Sequence, residues 1–112
     1  MVSKKLFILF NILLSMVGTK ALAYDIAVKN ADGVTIYYNY RCPGGWSDLS
    51  EIKELEVTYF DDNYNSYSGV VVIPEDVTHN NIARKVTSIG WGAFRNCSGL
   101  TSVTIPKSVT TL

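Results

Sequence analysis

The chain has 112 residues, and 10 lysines and arginines balance 10 aspartates and glutamates. A nucleic-acid-binding protein needs a basic surface that neutralises phosphates, and the sequence contains no basic stripe, so this class is excluded. A chain of this length is expected to form one domain of marginal stability, because small domains bury only about 60% of the surface that the unfolded chain exposes.

Residues 1–23 have the three zones of a secretory signal peptide. Two lysines lie in Met1–Lys5, an apolar stretch follows at 6–18, and Ala21-Leu22-Ala23 places small residues at alternate positions. A helix that crosses a membrane needs about 20 apolar residues, which is more than this stretch contains, so a permanent anchor is the less favoured interpretation. We predict that residues 1–23 are removed before Tyr24 and that the protein is secreted or held at the cell surface.

A β-hairpin is predicted directly after the signal peptide. Residues 24–29 and 34–40 are rich in β-branched and aromatic side chains, and Asp32-Gly33 lies between them. An Asp-Gly pair between two such runs is a strong hairpin signal. The Pro43–Gly45 cluster ends the second strand, and the polar stretch at 47–54 is interpreted as a loop, because it is too short to form an isolated helix.

Two more strands are predicted in the middle of the chain. Leu55–Phe60 alternates between apolar and polar residues, which is typical of a sheet with one solvated face. The polar residues 61–66 are expected to form a turn. Val70–Ile73 is a continuous apolar run, which predicts a strand covered on both faces, and Pro74 ends it because proline has no amide hydrogen.

The C-terminal part contains an internal repeat. The string Val86-Thr87-Ser88-Ile89 returns, at an offset of 23, as Val109-Thr110-Thr111-Leu112, and the segment at 73–78 matches the segment at 105–110 at four of six positions. The second offset is 32, and we attribute the longer spacing to a polar excursion at 79–85, with Ile82 in a degenerate copy. Repeats of about 20 to 50 residues are typical of solenoids, in which each unit buries its apolar face on the next.

The complete unit at 86–108 predicts one turn and one strand. Its apolar spacing changes from about 3.6 to 2 residues. The first part predicts a short helical turn at Ala93–Cys97, and the second predicts a strand at Leu100–Ile105. Phe94 and both ends of this strand are expected to face the interior of one coil, with the strands of successive repeats stacked in parallel.

These residues resemble a known family. The pattern of Ile89-Gly90, Ala93-Phe94, Cys97, Leu100, Val103, Ile105-Pro106 and Ser108-Val109 is similar to the leucine-rich repeats of BspA-like surface proteins of Bacteroides and related bacteria. Val57–Tyr59, Tyr67–Gly69 and Ile73–Val77 resemble the short β region that commonly precedes those repeats. The resemblance implies an exported or surface-attached protein without catalytic residues, which binds host or microbial surface proteins or glycans, with adhesion as the usual role.

We therefore expect a mainly β protein with a minor α component. Residues 1–23 are the signal peptide, 24–81 form antiparallel hairpins that cap the solenoid, and 82–112 hold one complete repeat, one imperfect repeat and a stub. Each repeat has one parallel strand and one short helical turn. Family members carry several repeats, so a truncated fragment of a longer protein is an alternative. Leu112 occupies the buried slot of Ile89, and we expect this open end to self-associate or to need a continuation.

No enzymatic or metal-dependent chemistry is predicted. His79 is the single histidine, and the sequence contains neither a Gly-x-Ser-x-Gly elbow nor a phosphate-binding glycine loop. Asp61–Asn65 resembles the start of a calcium loop, but Ser66 replaces the required glycine and Val72 the bidentate glutamate, so an ordinary turn is favoured. We expect no cofactor.

The candidate contact residues are Thr101, Ser102, Thr104 and Lys107 on and after the repeat strand, with Trp46 and Tyr64 in loops. Eight aromatic residues crowd into positions 37–67, which supports an alternative function as a carbohydrate-recognition module beside secreted glycan-degrading enzymes. An oxidising compartment permits a disulfide between Cys42 and Cys97. A loop thiol and a buried thiol are the other interpretation.

Overall fold

The computed structural model describes residues 23–42, 45 and 48–111. The predicted signal peptide, except its last residue, lies outside the described residues, as do Trp46 and Leu112. The described part is mainly β, as predicted. Its strands are β1 (Ile26–Lys29), β2 (Thr35–Arg41), β3 (Glu54–Thr58), β4 (Gly69–Val72), β5 (Asp76–His79), β6 (Ile82–Ile89) and β7 (Leu100–Thr104). A one-turn 3₁₀ helix at Leu49–Glu51 lies within the predicted loop before β3.

The predicted N-terminal hairpin is confirmed. Strands β1 and β2 pair antiparallel, with Lys29 opposite Thr35. Gly33 has a φ of 83°, a conformation that glycine adopts without strain. The side-chain oxygen of Asn30 accepts hydrogen bonds from the backbone N–H groups of Asp32 and Val34, each at 2.9 Å, and so closes the turn. Strand β2 then pairs antiparallel with β3 in a five-stranded sheet of order β1-β2-β3-β6-β5.

The second half of the chain stacks in parallel on the first half. Strand β3 pairs with β6, where Val57 lies opposite Ile89, and β4 pairs with β7 in a separate two-stranded sheet, where Val72 lies opposite Thr104. Each of these two residue pairs has a sequence offset of 32, which is the offset of the Ile-Pro repeat, and an irregularity at the start of each strand pair shifts the register by one residue. We call residues 54–75 the first pass and residues 86–108 the second pass. Parallel pairing of strands is therefore present, but in two separate sheets and not in one. Strands β3 and β4 also lie within residues 24–81, which were predicted to form antiparallel hairpins, so that part of the prediction is wrong.

The shorter repeat offset is also present in the structure. Ser88 forms a parallel bridge with Thr111. The N–H of Ile89 donates to the carbonyl of Thr111 at 3.1 Å, and the N–H of Thr110 donates to the carbonyl of Thr87 at 3.0 Å. The two copies of the Val-Thr string therefore lie side by side and in parallel, joined by this isolated bridge.

The predictions for residues 79–85 are wrong. This segment is not a polar excursion with a degenerate repeat, because β5 and β6 form an antiparallel hairpin in which Ile82 pairs with His79. Asn80 and Asn81 make the turn with φ values of 54° and 66°. Two consecutive positive φ angles are typical of a type I′ turn, which asparagine tolerates well. The hairpin accounts for the longer offset between the two Ile-Pro segments.

The predicted helical turn at Ala93–Cys97 is also wrong. Turns linked by i to i+3 hydrogen bonds replace it, from the N–H of Ala93 to the carbonyl of Gly90 at 3.1 Å and from the N–H of Cys97 to the carbonyl of Phe94 at 3.3 Å. Asn96 has a φ of 59°, which interrupts any right-handed helix. A chain of tight turns places apolar residues every three positions and so imitates helical spacing.

Two predictions about burial need correction. In β4 only Val71 is buried, and Val70 is 57% exposed, because the two-stranded sheet packs on the core with one face. Phe94 and Leu100 are partly buried against the core, as expected, but Ile105 is 42% exposed. The equivalent residue of the first pass, Ile73, is 2% exposed. Equivalent isoleucines of the two passes are therefore buried to different extents, and the predicted burial of Ile105 is wrong.

A buried arginine fixes the loop before β3. Arg84 on β6 is 4% exposed. Its Nε donates to the carbonyl of Ile52 and a terminal nitrogen donates to the carbonyl of Leu49, both at 2.7 Å. The guanidinium carbon lies 4.9 Å from the centre of the Tyr40 ring. The planar fork of donors matches this pair of carbonyls, whereas a lysine ammonium does not.

Replacing Arg84 should therefore destabilise the fold. We expect Arg84→Met to lower the free energy of unfolding by about 3 kcal/mol, because two carbonyl groups lose charged donors. Urea denaturation measures this loss. The control is Lys85→Met, which removes exposed ion pairs with Asp76 and Glu75 and should cost less than about 1 kcal/mol. Equal losses in the two variants would contradict the role of Arg84.

A buried tyrosine joins the segment before β4 to the five-stranded sheet. The Tyr67 hydroxyl donates to the carbonyl of Thr58 at 2.6 Å and accepts from the N–H of Tyr37 at 3.1 Å. Burial raises the pKa of Tyr67 well above its ordinary value of 10.0, although the bond from the Tyr37 N–H acts in the opposite direction. Burial likewise raises the pKa of Tyr38. The fold therefore requires both phenols in their neutral form.

The stability of the protein should fall at alkaline pH. A tyrosine with a raised pKa in the folded state contributes stability that is complete below pH 10.0 and is lost as the pH rises further, by up to about 1.4 kcal/mol per pH unit for each tyrosine. We expect the free energy of unfolding to decline more slowly above that pH in Tyr67→Phe than in the unchanged protein. Urea unfolding across this range checks the slope, and identical slopes would refute the argument.

Candidate binding surface

The predicted contact residues of the repeat strand are exposed. Ser102 and Thr104 on β7 lie opposite Val70 and Val72 of β4, so polar and apolar rows share the outward face of the two-stranded sheet. Thr101 and Lys107 are exposed as well. Tyr64 belongs to a different group of side chains, in the loop between β3 and β4. Trp46 lies outside the described residues.

Tyr64 belongs to a cluster of rings and one cation. Its ring centre lies 4.6 Å from that of Tyr59 and 6.0 Å from that of Trp91, which it meets edge to face. The Arg95 guanidinium lies 5.0 Å from the Tyr64 ring centre and 5.4 Å from the Trp91 ring centre. We call these four residues the Trp91 cluster. Trp91 is 72% exposed, although it is one of the largest apolar side chains.

The Trp91 cluster forms because the two passes are stacked. Tyr59 and Tyr64 come from the first pass, and Trp91 and Arg95 come from the second. The N–H of Asn65 donates to the carbonyl of Arg95 at 3.1 Å and joins the two loops. Gly92 has a φ of 78°, and a Cβ at this position would lie 3.0 Å from Cε1 of Tyr64. A residue with a side chain does not fit there without moving the ring.

The electrostatics of the cluster favour a neutral Tyr59 phenol beside one cation. Desolvation raises the pKa of the Tyr59 phenol, and its hydrogen bond with Tyr64 and the nearby charges of Tyr64 and Asp62 act in the same direction. The Tyr59 phenol is therefore neutral at physiological pH. The Arg95 guanidinium is attracted to the negative faces of the rings. The cluster thus combines an exposed aromatic surface with a positive charge.

A recess lies on another side of Tyr64. It has a volume of about 330 Å³, and it is lined by the rings of Tyr37, Phe60 and Tyr64 and by Asp61, Asn63, Asn65 and Ser66. We call it the aromatic recess.

Hydrogen bonds within the loop at 61–66 shape one wall of the recess. The hydroxyl of Ser66 donates to the carbonyl of Tyr64 at 2.6 Å and accepts from the N–H of Phe60 at 2.7 Å. The N–H of Asn63 donates to the Asp61 carboxylate at 3.0 Å, and that of Tyr64 to the Asp61 carbonyl at 3.0 Å. The predicted turn is confirmed.

Three other features of the sequence have defined places. Cys42 and Cys97 are both free, so the structure does not contain the disulfide. His79 lies at the end of β5, beside the asparagine turn. Within the part of the chain that the structure describes, no three histidine, cysteine or acidic side chains are arranged to hold a metal ion. The same residues include no helix with the length and apolar character that crossing a membrane requires.

Sequence reasoning missed Trp91 and Arg95 as candidate contact residues. Trp91 stands between Gly90 and Gly92 and outside the apolar periodicity of the repeat. A large aromatic residue at a position that the buried pattern does not use is the signal that could have identified it. Arg95 carried no comparable signal, because only the fold brings it over the rings.

Comparison with known proteins gives one informative match. The crystal structure of a leucine-rich repeat protein from Bacteroides ovatus ATCC 8483 is similar to this chain, with a TM-score of 0.54 and 30% sequence identity. The match covers 77% of this chain and 18% of that protein. No family model and no curated protein matches the sequence. The chain therefore resembles, in sequence and in fold, a short part of a leucine-rich repeat protein of Bacteroides.

The fit of Gly92 against Tyr64 can be tested by adding a single methyl group. We expect Gly92→Ala to lower the free energy of unfolding by about 2 kcal/mol, because it adds backbone strain and displaces the Tyr64 ring. The control is Gly33→Ala, which has a similar φ of 83° but no atom within 4 Å of the added Cβ. Urea denaturation gives both values. A loss in Gly92→Ala no larger than in the control would show that the ring contact contributes nothing.

Proposed function

We propose that this chain belongs to an exported, BspA-like leucine-rich repeat protein, and that its function is adhesive binding without catalysis. The observation that carries the proposal is the parallel stacking of two passes at the offset of the Ile-Pro repeat. Stacked strands of this kind form a solenoid scaffold, in which each unit is buried by the next. The similarity to a leucine-rich repeat protein of Bacteroides supports the assignment to a repeat protein.

In the proposed organisation, residues 1–23 direct export and residues 24–53 cap the scaffold. The repeats begin with the first pass at 54–75 and not at residue 82 as the sequence suggested, because residue 82 lies inside the β5–β6 hairpin. The protein is secreted or attached to the cell surface, where host or microbial surface proteins are its partners. Such a role requires an exposed surface that is already ordered before a partner arrives.

The Trp91 cluster has the composition of a protein contact site. Tryptophan, tyrosine and arginine are the residue types most enriched among those that dominate binding energy at interfaces. Trp91 is largely exposed, while its neighbours Tyr64 and Arg95 restrict its ring. An ordered aromatic side chain loses little conformational entropy when it is buried against a partner. We therefore assign the main contact to the Trp91 cluster, and a secondary one to Thr101, Ser102, Thr104 and Lys107.

Adhesion of protein-coated beads tests this function. Beads that carry the purified protein are counted after binding to epithelial cells and to whole bacterial cells. We expect Trp91→Ala to reduce the adherent fraction at least tenfold, since interface residues of this type contribute about 2 kcal/mol or more and a factor of ten corresponds to about 1.4 kcal/mol. The double variant Thr104→Ala with Lys107→Ala should cause a smaller loss.

The matched control is Leu49→Ala, which removes another exposed apolar side chain, in the 3₁₀ helix and outside both proposed contacts. This variant should bind as the unchanged protein does. Adhesive binding would be refuted if beads with the unchanged protein bind neither cell type. The assignment to the Trp91 cluster would be refuted if adhesion survives Trp91→Ala.

A further inference from the structure

The aromatic recess differs in chemistry from the Trp91 cluster. Its lining combines three aromatic rings with amide, hydroxyl and carboxylate groups. Its volume of about 330 Å³ is near the lower end of the range of about 300–1,000 Å³ that small-molecule sites occupy. A ligand of this site must therefore be small and must present both apolar faces and hydrogen-bonding groups.

We propose that the aromatic recess binds a carbohydrate of one or two sugar rings. The Phe60 ring is 40% exposed and can stack against the C–H face of a sugar. The exposed Asn63 and Asn65 side chains each carry a donor and an acceptor, as a sugar hydroxyl does. These two features match the amphipathic character of a sugar ring.

The lining argues against other small ligands. Asp61 lines the recess, and its carboxylate accepts a hydrogen bond from the N–H of Asn63. An acidic side chain in the wall disfavours phosphates, sulfates and carboxylates, because like charges repel in a partly desolvated site. A purely apolar ligand would leave the polar wall without hydrogen-bond partners. A neutral polyhydroxylated ligand avoids both costs.

The recess is ordered before any ligand binds. Phe60 stacks on Tyr24 with ring centres 5.9 Å apart and contacts Tyr37 at 5.4 Å, so two rings hold it from the β-sheet side. The Ser66 hydroxyl ties the opposite wall to the backbone of Phe60. Tyr64 has a φ of 65°, an uncommon conformation for a tyrosine. Strained residues of this kind cluster at binding sites, where the surrounding contacts maintain them.

The carbohydrate site is separate from the proposed protein contact. The recess uses Phe60, Asn63 and Asn65, whereas the protein contact uses Trp91 and Arg95, and Tyr64 is the residue that the two share. The site therefore adds a second class of ligand to the proposed function and does not depend on it.

Titration with defined sugars, followed by the backbone amide signals in NMR, tests the proposal. The probes are lactose, cellobiose and chitobiose, each added to the purified protein at up to about 10 mM, a range that reveals millimolar affinity. We expect at least one sugar to shift the signals of residues 59–66 and of Tyr37. No shift with any of the three sugars would overturn the proposal.

Variants locate the site. Phe60→Ala should weaken the binding of that sugar about tenfold or more. Asn65→Ala is a second variant that keeps the backbone bond to Arg95 and should weaken binding several-fold. Trp91→Ala should change the sugar affinity less than twofold, although it reduces adhesion. If Trp91→Ala removes sugar binding while Phe60→Ala and Asn65→Ala do not, the site is wrongly placed.

A peptide that ends in tyrosine serves as the competing ligand. If this peptide shifts the recess signals and the sugars do not, the recess accepts a protein side chain and the carbohydrate proposal fails. Loss of bead adhesion in Trp91→Ala would still support the protein contact in that case. The two proposals therefore fail independently.

Discussion

The backbone hydrogen bonds between the two passes are the interaction on which the rest of the structure depends. Three of them join separate points of the two passes. Backbone N–H groups of Gly90, Gly69 and Ile73 donate to the carbonyls of Val57 at 2.8 Å, Gly99 at 2.9 Å and Thr104 at 3.0 Å, respectively. Gly90 allows the closest approach, because a Cβ there would lie 3.0 Å from the carbonyl oxygen of Val57 and would collide with the Glu56 carboxylate. This parallel register places side chains of the first pass next to side chains of the second pass. Both the core and the Trp91 cluster form from such contacts between the passes.

The β5–β6 hairpin shows how such a stack accepts an insertion. The two strands of an antiparallel hairpin lie side by side, so the chain returns to the edge of the sheet from which the hairpin started. The strand after the hairpin can therefore pair with the first pass in the register that it would have without the insertion. Strand β6 pairs with β5 through residues 82–85, and its later residues 87–89 bond to Thr110 and Thr111 on the same edge. The extra residues therefore change the sequence offset from 23 to 32 without displacing the next strand. Arg84 fastens this hairpin to the loop before β3.

The sequence predicted the parts of the fold that depend on short-range signals. Asp32-Gly33 identified the first hairpin, and the two Ile-Pro segments identified the strands that stack. The hairpin turn at Asn80-Asn81 was not predicted. The strand after it contains Arg84, whose burial depends on tertiary contacts that the sequence does not reveal, so this polar segment looked like a loop. The turns at 91–96 imitated a helix because successive tight turns, each closed by an i to i+3 hydrogen bond, space apolar residues at about the helical interval. Of the candidate contacts, Tyr64 was predicted, but Trp91 and Arg95 lie far from it in sequence and meet it only after stacking.

Tyr64 connects the two binding surfaces in physical terms. One set of its contacts, with Trp91, Arg95 and the backbone of Gly92, holds the cluster, while the same ring forms a wall of the recess. Its positive φ is maintained by the bonds of the loop and not by local preference. A ligand in either surface would therefore contact a ring that the other surface also uses. Because these contacts already hold the ring before a ligand arrives, neither ligand has to order it for the other, and the two surfaces can bind separately.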